Sequence, residues 1–118
     1  MGIQLAIRRF SVDEFHRMGE AGILSEDDRV ELLDGEIIEM TPIVSRHASC
    51  VTRLARIFER QLGDSAVVWV QNPVQLDDRS EPQPDMTLLR PRADIYAQAH
   101  PKPADVLCLS RSRTRLFN

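Results

Sequence analysis

The segment "RVELLDGEIIEM" (29–40) restricts this chain more than any other stretch. Two β-prone runs flank Asp34-Gly35, a pair that accepts the positive φ angles of a type I′ turn. The combination predicts a β-hairpin.

The other elements follow from spacing and punctuation. Residues 11–22 predict a helix: Ser11 is a good N-cap, Glu14 stands at capping-box distance, and Gly22 closes the end. Phe15 and Met18 form its apolar side. After Pro42, residues 45–64 predict a long amphipathic helix with Ala48, Val51, Leu54, Ala55, Phe58 and Leu62 on one stripe. Ser45 is placed to cap it and Gly63 to end it. Arg53, Arg56 and Arg60 lie off the stripe. Residues 66–76 predict a strand, and its continuous apolar run implies cover on both faces. Pro73 puts a bend in it. Residues 77–84 read as a polar loop, 85–91 as a short strand, 92–104 as a loop with one helical turn, and 105–109 as a further strand. The expected fold is α/β in the mixed α+β sense: a sheet of about five strands with a long helix packed on it.

Bulk numbers narrow the function classes. The chain has 118 residues, the size of one domain that buries roughly two thirds of its unfolded surface. With 42% hydrophobic and 28% charged residues its composition is globular rather than disordered. The net charge is −3, and Ser110–Asn118 contributes three arginines and no acid, so the rest is more acidic still. That argues against a broad non-specific DNA coat but leaves room for a local basic groove. There is no signal-peptide-like run and no stretch approaching a membrane span, so a cytoplasmic location is expected. Cys50 and Cys108 are expected to be buried, reduced thiols. No CxxC or Cys/His cluster suggests zinc.

Four residues could carry chemistry. Asp85 follows Pro84 at the mouth of an apolar strand, where a carboxylate can hold Mg²⁺ or Mn²⁺; a plain turn aspartate is the bland alternative. Glu31 lies in the first strand of the hairpin, either facing solvent or joining Glu36 and Glu39 in a carboxylate cluster around a cation. His47 opens the long helix, as a core histidine or as a phosphate contact or proton relay beside a metal. Gln71 interrupts an apolar strand, bonded in the core or facing a cavity. His16 and His100 have no such context. No serine sits on a GxSxG elbow, and no Gly-rich phosphate loop is present.

Taken together, "RVELLDGEIIEMTPIVSRHA", "VQNPVQL", "SEPQPDMTLLRPR" and "HPKPADVL" resemble the Uma-two family, whose core is similar to the PD-(D/E)XK restriction endonucleases. The resemblance runs from about Phe10 to Leu109. It implies a restriction-endonuclease-like core, a mixed sheet flanked by helices, that cleaves DNA with Mg²⁺, and it leaves room for a homodimer. Asp85 matches the Asp of the PD motif, a catalytic metal ligand. Glu31 and His47 match positions near that site, with Glu31 as the second metal ligand.

The chain departs from the family at its end. The last strand should continue into a Glu-bearing segment and then a lysine-bearing helix. No Glu or Lys follows Asp105, and Lys102 precedes the strand. Under one choice of codons the tail, read in another frame, encodes Val-Glu-Val-Ala-Asp-Ser-Ser, the missing motif. The chain is therefore expected to be truncated or frameshifted after Leu109: residues 1–109 form an incomplete nuclease-like domain, with its C-terminal strand and helix missing, and 110–118 a non-family basic tail. The expected outcome is an inactive relative. The alternatives are an active endonuclease, a non-catalytic DNA- or protein-binding relative, and an unstable truncated product.

Overall fold

A computed structural model describes residues 4–111. Two helices, α1 (Val12–Glu20) and α2 (Ser45–Leu62), accompany five strands: β1 (Val30–Leu33), β2 (Glu36–Glu39), β3 (Val67–Val70), β4 (Met86–Leu89) and β5 (Val106–Ser110). The class is mixed α+β, as the sequence predicts. The strands divide into two antiparallel sheets, β1-β2 and β3-β4-β5, rather than forming one mixed sheet.

Local chemistry explains most boundaries. Ser11 and Glu14 form the expected capping box on α1. Asp34 (φ 48°) and Gly35 (φ 79°) make the hairpin turn, and Val30 pairs with Glu39 while Leu33 pairs with Glu36. The turn is tied down from two sides: Phe10 N–H donates to the Gly35 carbonyl (2.9 Å), and Gly35 N–H to the Arg79 carbonyl (2.7 Å). The strand expected over 66–76 stops at Val70, because Gln71 turns to φ 52°. Two sheets form because "EPQPD" cannot extend the hairpin ladder. Pro82 and Pro84 carry no N–H, so the hairpin meets this segment at a single bridge, Leu32 to Glu81.

The core is small. Leu32, Val74, Leu89 and Thr87 are completely buried, and all four residues of β4 are buried. The radius of gyration is 16.1 Å, against roughly 13 Å for a compact chain of about this length.

Several expectations fail for a shared reason: little packs against the outer face of β5 or the flank of α2 among the described residues. The thiols of Cys50 and Cys108 are free but exposed, not buried. Val67–Val70 is half-buried, not covered on both faces. Only Val51 and Ala55 of the α2 stripe are buried, and Leu54 is exposed. The helix cap is Val44, with no side-chain bond, because Ser45 already has helical geometry as the first residue. The final strand reaches Ser110, and the basic tail beyond Arg111 lies outside the described residues. Among the described residues no helix is long and apolar enough to cross a membrane.

Candidate functional site

Asp85 sits at the entry to the central strand of the larger sheet. Gln71 N–H donates to its carbonyl at 3.1 Å from the β3 side. On the other side Met86 pairs with Ser110; continuing that register by one residue sets Arg111 across from Asp85. The strand end is therefore gripped by both neighbours, and the Asp85 side chain is 6% exposed. Asp85 lies at a bend just before β4, buried rather than solvated.

His47 reaches this carboxylate from α2. It is the third residue of the helix, and its Nε2 lies 3.2 Å from Asp85 Oδ1. The helix N-terminus brings partial positive charge to the same place, which favours an anion there. Two residues along β4, the hydroxyl of Thr87 is buried with no hydrogen-bond partner among the described residues.

Glu31 is the second buried candidate carboxylate. It is 1% exposed, although it lies on a strand whose alternation allowed a solvent-facing position. Its Oε2 accepts the Gln83 N–H at 2.8 Å. The reason is the proline spacing: with no donor at 82 or 84, the N–H groups at 81 and 83 face the hairpin. The first reaches the Leu32 carbonyl at 2.7 Å and the second, the Glu31 carboxylate. The carboxylate cluster with Glu36 and Glu39 does not form, because both are exposed.

Arg111 completes the arrangement. Its Nη1 donates to Glu31 Oε2 at 3.1 Å and its Nη2 to Glu31 Oε1. Both carboxylate oxygens are engaged by one guanidinium, the fork geometry that makes arginine pairs strong. Nothing in the sequence pattern marks Arg111, which reads as one of three arginines in a polar tail. Only the β4-β5 register places it here.

Mg²⁺ demands oxygen ligands in near-ideal octahedral geometry. Both Glu31 oxygens are committed to Arg111 and Gln83, which leaves Asp85 as the carboxylate able to serve. β5, which runs Val-Leu-Cys-Leu-Ser, carries no carboxylate, and the charge of Arg111 opposes a cation beside Glu31. With Arg111 in place, the residues do not fit Mg²⁺.

The structure brings Asp85, His47, Gln71 and, through Arg111 and Gln83, Glu31 into one region. It also joins residues that looked unrelated in sequence: His16 and His100 meet at the buried carboxylate of Glu81.

A family model described as "Uma2: Putative restriction endonuclease" matches residues 12–108. No curated protein and no solved structure matches the chain.

Proposed function

The chain belongs to the Uma2 restriction endonuclease family, and from that premise we propose a nuclease-like domain that engages DNA without cutting it. The observation that carries this reading is the Arg111–Glu31 pair. Phosphodiester hydrolysis in such a site needs a divalent cation to polarise the phosphoryl oxygen and to lower the pKa of a bound water. Here a guanidinium occupies the carboxylate that would share the cation, and β5 offers no replacement. Asp85 and His47 remain as a buried acid beside a half-buried imidazole.

Affinity for DNA would come from α2. Arg46, Arg53, Arg56 and Arg60 are all exposed. At 3.6 residues per turn they fall within an arc of roughly 80°. His47, which the same helix delivers to Asp85, lies roughly 140° round from the centre of this stripe at 3.6 residues per turn, so DNA bound along the stripe would lie on the helix face away from Asp85. The chain is acidic overall, which favours weak, salt-sensitive binding over a tight coat.

The test is nicking of supercoiled plasmid in the presence of Mg²⁺ or Mn²⁺, with circular dichroism to establish that the chain is folded. Folded protein that leaves the plasmid intact supports the proposal. Metal-dependent nicking that disappears in Asp85→Ala overturns it.

A further inference from the structure

A second cluster lies away from Asp85, where α1, the segment before β4 and the 92–102 loop converge. His16 Nε2 lies 2.9 and 2.8 Å from the two carboxylate oxygens of Glu81. His100 Nε2 lies 3.9 Å from Oε1 of the same residue. One ligand atom from each of the three lies within 4.8 Å of the others. The two imidazoles meet edge to face, with ring centroids 5.7 Å apart.

Burial makes the cluster notable. Glu81 is only 3% exposed, and a buried carboxylate is costly unless a cation compensates it. No lysine or arginine among the described residues pairs with it; its ion-pair neighbours are the two histidines. Its own backbone is fixed, because Glu81 N–H donates to the Leu32 carbonyl at 2.7 Å. The histidine side chains are more than a third exposed, so the buried ligand is rigid and the other two can adjust.

We propose that His16, Glu81 and His100 form a binding site for a first-row transition cation of the Zn²⁺ class. Two imidazole nitrogens and one carboxylate suit such a metal, whereas Mg²⁺ prefers oxygen alone. The distances agree. Bonds of about 2.0–2.2 Å to a tetrahedral ion set neighbouring ligand atoms roughly 3.3 Å apart. Measured to the single oxygen Oε1, the observed 2.9 and 3.9 Å bracket that value, and the ligand atoms of all three residues lie within 4.8 Å of one another, so binding would draw the histidines together around the fixed carboxylate. Three protein ligands leave one position for water or a ligand. A cavity of about 680 Å³ opens onto His16 and His100 and is also lined by Glu20, Glu26 and Asp28. Those carboxylates would raise the local concentration of cations. The bound ion would pin α1 and the 92–102 loop to the segment that leads into Asp85. The site is independent of the DNA proposal, and its test does not use nicking.

Co²⁺ substitution reads the site directly. The expected result is one Co²⁺ per chain with a visible absorption band of low coordination number, displaced by Zn²⁺ and unmoved by excess Mg²⁺. His16→Ala and His100→Ala should each abolish the band and weaken Zn²⁺ binding by about tenfold or more, since even supporting residues around a metal cost that much. His47→Ala should keep the band, which separates this cluster from the Asp85 site. Circular dichroism of each variant guards against unfolding, and His16→Asn serves if an alanine variant fails to fold. No band in the folded parent, or a band that survives both His16→Ala and His100→Ala, overturns the proposal.

Discussion

Replacing Arg111 with methionine removes the guanidinium but keeps most of the aliphatic stem. Glu31 would then be a carboxylate 1% exposed to solvent with one remaining donor among its described partners, the Gln83 N–H. Removing one partner of a buried ion pair typically costs about 3–5 kcal/mol. The low end applies here, because the Arg111 side chain is 18% exposed and water can enter as it withdraws. The expected destabilisation is thus about 3 kcal/mol. Glu31→Gln keeps the shape and can still accept from Gln83, while Arg111 is free to turn to solvent. That loss is smaller, about 1–1.5 kcal/mol, the value of a hydrogen bond.

The double variant decides the matter. Glu31→Gln with Arg111→Met leaves a neutral amide bonded to Gln83 and no stranded charge, so its cost should be about 2 kcal/mol instead of the sum of roughly 4. The implied coupling of about 2 kcal/mol lies within the range for residues in direct contact. Urea unfolding followed by circular dichroism reads it. With an m-value near 1.5 kcal/mol/M, Arg111→Met should move the midpoint down by about 2 M. The shift should persist at high salt, because a buried pair is poorly screened. Costs that add to within about 0.5 kcal/mol would refute the pairing, and with it the claim that Arg111 closes the Glu31 half of the site.

Other outcomes follow from single features. A Cβ added at Gly35 would stand 2.5 Å from Arg9 Cβ at a φ of 79°; Gly35→Ala should cost more than about 1 kcal/mol in thermal or urea unfolding. The Glu14 carboxyl is held below its ordinary value, chiefly by the Ser11 backbone N–H. Its contribution is therefore complete above the ordinary carboxylate range and fades as pH falls through the depressed value, so the stability gap between the parent and Glu14→Gln should close on acidification. If the α2 stripe contacts phosphates, Arg56→Ala should weaken binding to all duplex sequences alike and reduce the slope of log K against log salt by about 1; an unchanged slope would remove Arg56 from the interface.

Elements with a local cause were legible before the fold was known. The Asp34-Gly35 turn, the Ser11–Glu14 cap and the limits of α2 each depend on residues a few positions apart. The place of Asp85 at the mouth of β4 was legible for a similar reason, since a proline and an apolar strand bracket it. What was hidden depends on pairing across the chain. The burial of Glu31 is set by where Gln83 points, fifty-two residues away. The meeting of His16 and His100 at Glu81 requires α1 and the 92–102 loop to land on one segment, and no periodicity encodes that. The thiols were misplaced because an apolar pattern shows which face can be covered, not whether another element covers it.

Arg111 shows the same limit most sharply. As sequence it belongs to a run of alternating arginines and small polar residues that resembles a solvated arm. As structure it is the first residue after β5, and continuing the antiparallel register one step past the pairing of Met86 with Ser110 sets it across from Asp85. On the reading proposed above, a cation-dependent nuclease site would need negative charge there. This chain presents a positive one, which pairs with the buried Glu31. Arg111→Glu would set a second carboxylate against the buried Glu31 with no charge to balance the pair, so it should destabilise the fold unless a divalent cation binds in the same step.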